Sequence, residues 1–541
     1  MDGEFDYLIV GAGSAGCVLA ERLSASGRAK VLVLEAGGSD RRFFVQMPLG
    51  YGKLYHDARL NWCYRTEPDP GLGGQVDYWP RGKVLGGSSS INAMVWVRGH
   101  PQDYEDWRAA GNPGWGWDEA RAAFRAIEDN EDGATEWRGA GGPLFIRSGK
   151  EPGHPLVAPF LAACETLGLP RNADFNGPEQ EGVGTYQLTI RDGRRNSAAR
   201  AFLHPALRRG NVALRTGAQV TRILFDGRRA TGVEYSWKGR LLSARAGEVI
   251  LAGGAINSPQ ILMLSGLGAG GDLQGQGIPV VLDQPNIGAH LCDHQGLNYT
   301  WRANVPTMND LLRPWWGKLG VGLRYLTRRD GPLALSINHA GGFFRSDPSR
   351  SRPNMQLYFQ AFSTLLPRPG ERPILNPDPF SGLSIGLSNC RPTSRGRIVL
   401  ASSDPFAAPR IFGNAFSTDG DISEMLDAVK MLRRIAAAPP LAGILAEELR
   451  PGPSVQDDAA LIQDIRLRGG TVFHPSGTCR MGPDPATAVV DPDLRVHGVA
   501  GLRVCDASVF PNLIAGNTNA PAMLVGWLGA ERILASQRVP A

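Results

Sequence analysis

The chain has 541 residues, of which 42% are hydrophobic and 20% charged, and its formal net charge is +5 at pH 7. This composition is typical of a globular protein, and the length predicts two domains or one large, elaborated domain. The arginines are scattered among acidic residues instead of forming runs, which argues against a nucleic-acid surface and favours a small-molecule partner.

The first residues, the most apolar stretch and the cysteines of the chain indicate where the protein resides. The start "MDGEFDYLIV" is acidic and enters a strand pattern at once, so we expect no signal peptide. The apolar stretch "VILAGGAINSPQILML" is broken by Gly253, Asn257 and Pro259, which argues against a membrane span. The seven cysteines are widely spaced and lack a C-x-x-C pair, which indicates reduced thiols. We therefore expect a cytoplasmic protein, with peripheral membrane contact as the alternative.

The first motif is "GAGSAG" at 11–16, which lies between the apolar runs "DYLIV" and "KVLVLEAG" and opens a helical pattern. Gly11 permits a tight turn, Gly13 lets the backbone approach a pyrophosphate, and Gly16 lets the helix pack close to the strand. Glu35, at the end of the second strand, is placed to accept hydrogen bonds from an adenosine ribose. The pattern predicts dinucleotide binding. Because Glu35 would repel a 2′-phosphate, NADP is disfavoured and FAD and NAD remain.

Further elements follow in chain order. The glycine- and serine-rich stretch "PRGKVLGGSSSINAMVWVRGH" is longer than the connections of a simple NAD fold and could lie along an extended cofactor. The stretch "GEVILAGGAINSPQILMLSGLG" predicts a strand, a glycine turn and a helix that starts near Asn257. A helix is also predicted in "DISEMLDAVKMLRRIAAA", with Asp421 as its N-cap, and another in "NAPAMLVGWLGAERIL".

Five stretches together resemble one family. They are "GAGSAG" with Glu35, "GKVLGGSSSINAMVWVRG", "GAINSPQILMLSGLG", "HPSGTCRMG" and "DASVFPNLIAGNTNAP". In this order, from Asp6 to about Ile533, they are similar to the glucose–methanol–choline oxidoreductases, FAD-dependent enzymes that oxidise alcohols. Each stretch is long, so a chance match to all five is implausible.

The resemblance implies an α/β fold with a Rossmann-like FAD-binding domain and a second α+β substrate-binding domain built on an antiparallel sheet. The FAD-binding domain would comprise residues 1–155, 205–295 and 470–541, and the substrate-binding domain residues 156–204 and 296–469. Together with the first motif, the resemblance implies these cofactor contacts: Gly11, Gly13, Ser14, Ala15, Gly16, Glu35, Ala36, Gly86, Gly87, Ser88, Asn92, Ala93, Val220, Asp506, Ala507, Asn517 and Thr518.

The stretch "FHPSGTCRMG" at 473–482 admits a metal site, a nucleophile with its base, or a lone base. No second pair with metal-ligand spacing stands nearby, and the resemblance assigns the other candidate cluster, "HLCDH" at 290–294, to a segment of the FAD domain. We therefore predict no metal site. A nucleophilic Ser476 or Cys479 would lack an oxyanion hole and an orienting group. The remaining interpretation is that His474 is a base beside a flavin.

Alcohol oxidation requires such a base. The hydroxyl proton and a hydride leave the same carbon, the flavin N5 can take the hydride, and a histidine can take the proton near neutral pH. The resemblance implies that Asn517 is the second catalytic residue, which donates a hydrogen bond to the alcohol oxygen. The alternative role of Asn517 is to form an Asx turn before the last helix. Asparagine cannot act as a base, so His474 would be the sole base.

The predicted function is FAD-dependent oxidation of an alcohol, with electrons passed to an external acceptor that is quinone-like or oxygen. The alternatives are an oxygen-using oxidase of the same family, a lyase with non-redox FAD, and a flavin-binding protein without catalysis. Ile91 stands where some family members carry a histidine bonded to the flavin, and it has no nucleophilic atom. We therefore predict non-covalent FAD. The sequence indicates neither the substrate alcohol nor the oligomeric state.

One stretch, "LLRPWWGKLGVGLRYLTRRDG" at 311–331, mixes aromatic and basic residues. Trp315, Trp316 and Tyr325 beside Lys318 and the arginines could rest on an anionic membrane. In a substrate domain such a stretch is more often a lid or an entrance wall, and the sequence favours that interpretation.

Overall fold

The structure, a computed structural model, describes residues 4–150, 153–365 and 376–536. Its strands are β1 (Phe5–Val10), β2 (Val31–Glu35), β3 (Tyr64–Arg65), β4 (Tyr78–Trp79), β5 (Glu128–Asn130), β6 (Leu144–Ile146), β7 (Gly182–Thr185), β8 (Ile190–Arg191), β9 (Arg194–Arg195), β10 (Val212–Thr216), β11 (Ala218–Asp226), β12 (Arg229–Trp237), β13 (Arg240–Leu251), β14 (Leu267–Gly268), β15 (Leu282–Asp283), β16 (Gln295–Ala303), β17 (Ala340–Phe344), β18 (Met355–Gln360), β19 (Gly382–Asn389), β20 (Arg397–Val399), β21 (Arg410–Phe412), β22 (Leu445–Arg450), β23 (Gly470–Thr471) and β24 (Leu502–Val504).

The helices are α1 (Ser14–Ser24), α2 (Phe43–Gln46), α3 (Tyr51–Leu54), α4 (Pro101–Ala109), α5 (Trp117–Ile127), α6 (Val157–Thr166), α7 (His204–Leu207), α8 (Gly254–Leu264), α9 (Gly270–Gly275), α10 (Met308–Leu312), α11 (Trp315–Arg328), α12 (Asp419–Ala437), α13 (Pro439–Ala442), α14 (Asp458–Arg468) and α15 (Asn519–Ser536). Among the described residues, none of these helices is long and apolar enough to cross a bilayer.

The first sheet has a parallel core in the order β10-β2-β1-β13-β24. Every residue of β2 is buried, and β1 is buried apart from Asp6, as expected for parallel strands covered on both faces. On one side β12 and β11 continue the sheet in antiparallel register from the long strand β13. Helices α1 and α15 pack against each other and share the hydrophobic core of this sheet.

The second sheet is antiparallel, in the order β22-β16-β19-β18-β17-β7, with β23 paired to β16. Its buried residues pack with α6, α12 and α14 into a second hydrophobic core. The fold class predicted from the sequence, a Rossmann-like α/β part and an α+β part on an antiparallel sheet, is confirmed.

Two predicted helix starts are wrong by a few residues. Helix α8 begins at Gly254, three residues before Asn257, because the Asp506 carboxylate accepts from the Gly254 N–H and from the Ser258 hydroxyl. Helix α12 begins at Asp419, and Thr418 is its N-cap. Asp421 lies inside the first turn, and its carboxylate instead accepts from the backbone of residues 393 and 394.

A cavity of about 1500 Å³ connects the two sheets. Val10 and Leu34, at the carboxyl ends of β1 and β2, line one part of it, and Tyr358 and Ser384 of the second sheet line another. The carboxyl edge of a parallel sheet is where dinucleotides bind in open α/β folds. The cavity therefore joins the predicted cofactor site to the second sheet.

Candidate active site

The glycine motif forms a close backbone cradle at the start of α1. Gly13 is the N-cap of α1. Because glycine has no side chain to cap the helix, the N–H groups of the first turn face the cavity. Gly11 has a φ of +100°, and a Cβ there would lie 2.6 Å from the Ala252 carbonyl oxygen. Gly87 has a φ of +53°, and a Cβ there would lie 2.7 Å from the Gly13 Cα. The cradle is shaped for an anion and closes if either glycine gains a side chain.

Glu35 ends β2 and lines the same cavity. Its two carboxylate oxygens accept from the N–H groups of Ala12 at 2.8 Å and Gly37 at 2.7 Å. Burial raises the pKa of Glu35 to about 7, and the two backbone donors act against this rise. Each oxygen has a second lone pair. Glu35 therefore fixes the glycine turn and retains acceptor capacity for ribose hydroxyls.

The predicted cofactor contacts meet at this cavity with two exceptions. Gly16 and Gly86 do not line it: a Cβ at Gly16 would clash with the Gly11 carbonyl, and the Gly86 N–H donates to the Ala12 carbonyl at 2.7 Å. Both are turn and packing residues. The remaining positions line the cavity: Gly11, Gly13, Ser14, Ala15, Glu35, Ala36, Gly87, Ser88, Asn92, Ala93, Val220, Asp506, Ala507, Asn517 and Thr518.

These residues fit FAD. The glycine cradle and the start of α1 suit the pyrophosphate, Glu35 suits the ribose, and the cavity continues past residues 87–93 and 506–507 toward His474. An extended two-part cofactor needs such a continuous volume. Ile91 has an apolar side chain on this wall, so the position offers no atom for a covalent link to the flavin.

His474 lies just after β23, and its side chain lines the cavity although only 8% of the residue is exposed. Its backbone N–H donates to the Asp293 carboxylate at 2.8 Å, which fixes the loop. Its Nε2 lies 3.2 Å from the Nδ2 atom of Asn517, so the two predicted catalytic residues are in contact.

His294 determines which nitrogen of His474 carries the proton. The His294 Nε2 lies 2.9 Å from the carbonyl oxygens of both Cys390 and Ile514, and only an N–H can bond to carbonyls. Burial lowers the pKa of His294 to about 4, so the ring is neutral and its Nδ1 is an acceptor. The His474 Nδ1, 2.9 Å away, must therefore donate. This leaves a lone pair on the His474 Nε2.

The amide of Asn517 is oriented from the second sheet. Its Oδ1 accepts from the Gln356 Nε2 at 3.3 Å, and the Gln356 Oε1 in turn accepts from the Tyr358 hydroxyl at 2.8 Å. The Nδ2 of Asn517 therefore faces the His474 Nε2 as a donor, in agreement with the tautomer set by His294. The Asn517 oxygen is engaged by Gln356 and not by an Asx turn, although the last helix starts two residues later at Asn519.

Burial lowers the pKa of His474 well below its usual value near 6.5, and the neighbouring His294 and Arg81 lower it further. The Arg81 guanidinium donates to the Phe473 carbonyl at 2.6 Å, directly before His474. The ring is therefore neutral at physiological pH and ready to accept a proton.

Ser476 and Cys479, the neighbours of His474 in the motif, lie away from the cavity. Ser476 and Cys479 are fully buried and do not line the cavity, and burial raises the pKa of the Cys479 thiol. In "HLCDH", His290 bonds to Asn286 at 3.2 Å, Cys292 contacts Ser476, Asp293 accepts from the His474 backbone, and His294 bonds to the His474 ring. Four side chains with four different partners do not converge on one ion. Among the residues that the structure describes, no group of three or more such side chains could hold a metal.

Two segments of the chain match the sequence models of one protein family. The glucose–methanol–choline (GMC) oxidoreductase model of the N-terminal part matches residues 5–296, and that of the C-terminal part matches residues 392–526. The chain belongs to the GMC oxidoreductases. Membership identifies it as an FAD-dependent oxidoreductase that acts on CH–OH donors, as the five motifs predicted.

Individual GMC oxidoreductases resemble the whole chain. An alcohol dehydrogenase [acceptor] of Pseudomonas putida is 43% identical over 535 residues, which cover 98% of this chain and 96% of that protein. The mitochondrial choline dehydrogenase of Homo sapiens is 43% identical over 98% of this chain and 90% of its own length. Among solved structures, pyridoxine 4-oxidase from Mesorbium loti has a TM-score of 0.88 at 32% identity and covers 98% of this chain and 99% of its own.

The structure also shows two residues of the candidate active site that the sequence does not predict. His294 and Gln356 were not predicted as site residues, although both contact a catalytic candidate. In the sequence, His294 stands out only as part of "HLCDH", the candidate metal cluster. Its closeness to His474, 180 positions later, is a product of tertiary folding and has no local signal in the sequence.

Proposed function

We propose that this GMC oxidoreductase dehydrogenates an uncharged primary alcohol or polyol, with His474 as the base and Asn517 as the hydrogen-bond donor to the alcohol oxygen. Electrons pass to an external acceptor. The observation that supports the proposal is the acceptor lone pair of the His474 Nε2 at the cavity, which accepts from the Asn517 amide at 3.2 Å, and that amide is oriented by Gln356.

The substrate hydroxyl enters between the two side chains. It donates to the His474 Nε2 and accepts from the Asn517 Nδ2, which now bond to each other at 3.2 Å. As His474 takes the proton, the negative charge that develops on the alcohol oxygen is stabilised by the Asn517 amide. FAD, when bound, supplies the acceptor for the hydride from the same carbon. The alcohol thus loses one proton and one hydride and becomes the aldehyde or ketone.

His294 positions the base. While its Nδ1 accepts from the His474 Nδ1, the proton of neutral His474 is held away from the substrate side. After the proton transfer His474 is an imidazolium with both nitrogens protonated, and the same hydrogen bond persists. His294 itself contacts carbonyls on its other side, so it neither touches the substrate nor gains a proton.

The cofactor assignments belong to the same proposal. The fifteen lining positions named above contact FAD, and Gly16 and Gly86 shape the turns behind it. The FAD-binding domain comprises residues 1–155, 205–295 and 470–541, and the substrate-binding domain residues 156–204 and 296–469. The separate hydrophobic cores of the two sheets support this division, while residues 198–203 pack in the core of the first sheet.

The charge of the cavity wall disfavours a cationic substrate. Its charged lining residues are six cationic side chains and three carboxylates: Lys53, Arg65, Arg81, Lys318, Arg450 and Arg468 against Glu35, Asp77 and Asp506. The carboxylates of Glu35 and Asp506 accept hydrogen bonds from backbone N–H groups around the cofactor site. Near His474 the wall is aromatic, with the rings of Tyr55 and Phe473 5.4 Å apart. Aromatic walls can bind a quaternary ammonium, so choline belongs in the test.

The experiment is anaerobic mixing of the holoenzyme with primary alcohols, polyols and choline while flavin absorbance is recorded. Bleaching by an uncharged alcohol, with the aldehyde as product, is the expected result. Product without bleaching would indicate a lyase, and neither signal with any compound would indicate a flavin-binding protein without this activity. Reoxidation by oxygen or by a quinone dye then separates an oxidase from a dehydrogenase.

A further inference from the structure

Helix α11 (Trp315–Arg328) presents an unusually apolar side to solvent. Five large side chains at helical spacing, each between 56% and 71% exposed, form what we call the apolar face: Trp315, Trp316, Leu319, Leu323 and Leu326. Only Val321 and Tyr325, on the opposite side, are buried against the protein. Residues at spacings of three and four share one face of a helix, so the pattern is continuous along about three turns.

Two further exposed aromatic side chains lie beside the helix, next to its buried Tyr325. Phe43 and Phe44 of α2 are 50% and 44% exposed, and the Phe43 ring lies 6.3 Å from the ring of Tyr325. Soluble monomers rarely expose a contiguous apolar patch of this kind without an interaction partner. The patch is therefore the strongest candidate for an interaction surface among the described residues.

Cationic side chains flank the apolar face on both sides. At 3.6 residues per turn, Lys318 lies along one edge of the helix and Arg324 and Arg328 along the other, between the apolar face and the buried side. Residues 310–330 contain five Lys or Arg and two Asp, so the segment carries net positive charge. Long cationic side chains in this position can keep their charge in the headgroup layer while the apolar face enters the lipid.

We propose that the apolar face and its flanking cations dock the protein on a bilayer that contains anionic lipids. The helix lies in the plane of the membrane and does not cross it. Phe44 and Lys318 also line the active-site cavity, as does Leu312 just before the helix, so the docked surface borders the cavity. An alcohol or an electron acceptor dissolved in the lipid then reaches the cavity without crossing water. The docking itself does not depend on the proposed function.

The test is co-sedimentation of the holoenzyme with vesicles of phosphatidylcholine alone and of phosphatidylcholine with phosphatidylglycerol. We expect binding to the anionic vesicles, and weaker binding as salt screens the cations. The Trp316→Ser/Leu323→Ser double variant should bind at least about tenfold more weakly to anionic vesicles. Arg328→Gln should weaken the binding to anionic vesicles about fivefold and leave the binding to phosphatidylcholine unchanged.

The matched control is Leu241→Ser/Phe406→Ser, because these side chains are 61% and 59% exposed and lie outside the patch. It should bind vesicles like the wild type. Flavin content and activity with a water-soluble alcohol and dye should be unchanged in the Trp316→Ser/Leu323→Ser variant, which shows that it is folded. Equal vesicle binding by this variant and the control would overturn the proposal. So would a patch variant that changes the oligomeric state in sedimentation velocity but not the vesicle binding, since the surface would then be a protein interface.

Discussion

The Nδ1 atoms of His294 and His474 lie 2.9 Å apart, and His294 is the acceptor because two carbonyl oxygens occupy its Nε2. The proton of neutral His474 is thereby placed on the nitrogen that points away from the cavity. A base whose tautomer is fixed in the resting protein does not need to rearrange before it takes the substrate proton.

Replacement of His294 should therefore impair chemistry more than substrate binding. In His294→Phe the acceptor is lost, and His474 can place its proton on Nε2, where it cannot act as a base. We expect flavin reduction by alcohol to slow by about 10²-fold, with KM changed far less. In His294→Gln, the amide can accept from His474 and donate to a carbonyl, so much of the activity should return. Equal losses in the two variants would show that His294 only fills space.

The pH profile gives a second readout of the same pair. Burial lowers the pKa of His294 to about 4 and that of His474 well below 6.5. A histidine with a lowered pKa is neutral above that pKa. Its ability to accept a proton is lost only as the pH falls through that pKa. The kcat/KM of the wild type should therefore not fall by half at pH 6.5, where an ordinary histidine is half protonated. An acid limb centred at 6.5 or above would contradict the assignment.

Asn517 should contribute less than the base, since it stabilises charge and takes no proton. We expect Asn517→Ala to slow flavin reduction by about 10-fold to 10²-fold and to leave measurable activity. Gln356→Leu removes the partner that orients the amide, so it should cause a smaller loss in the same direction. Anaerobic single-turnover rates of both variants test this order. A Gln356→Leu variant slower than Asn517→Ala would mean that Gln356 acts on the substrate in some other way.

The glycine cradle predicts a loss of cofactor without a loss of fold. In Gly87→Ala the new Cβ would meet the Gly13 Cα at 2.7 Å, so the cradle should no longer accept the pyrophosphate and the protein should be purified largely without flavin. Gly27→Ala is the matched control: Gly27 also has a positive φ, +73°, but nothing lies within 4 Å of its added Cβ. The ratio of flavin to protein absorbance measures the outcome. Similar flavin content in the two variants would argue against the cradle.

The attachment of FAD can be tested with the wild-type protein alone. Ile91 occupies the position of the flavin-linked histidine of some relatives and has no atom that could form the bond. Acid precipitation should therefore release all flavin absorbance into the supernatant. Yellow colour that remains in the washed pellet would show an attachment site elsewhere.

The sequence predicted those parts of the site that are encoded locally. The turn at 11–16, the proposed acceptor Glu35 and the proposed base His474 each lie in a short motif whose chemistry can be recognised without the fold. Helix starts were predicted less well. Helix α8 begins at Gly254, whose N–H donates to the Asp506 carboxylate, and Thr418 caps α12 because its side chain accepts from the Asp421 N–H. The apolar pattern encodes neither hydrogen bond.

Contacts between distant segments could not be predicted at all. His294 meets His474 across 180 positions, and Gln356 meets Asn517 across 161, because β18 and the loops after β15, β23 and β24 converge at the cavity. The apolar face of α11 was visible as a mixed segment, but only the structure shows that its tryptophans and leucines point to solvent. The sequence alone favours a lid or an entrance wall for this stretch.

The central claim is that His474 removes the proton of the alcohol, and the anaerobic rate of flavin reduction in His474→Ala tests it most directly. Cys479→Ala is the control, since this buried side chain lies five residues later and does not line the cavity. We predict that His474→Ala retains flavin and is reduced at least about 10²-fold more slowly than the wild type, whereas Cys479→Ala is reduced at nearly the wild-type rate. A flavin-loaded His474→Ala protein that is reduced at the wild-type rate would contradict the account.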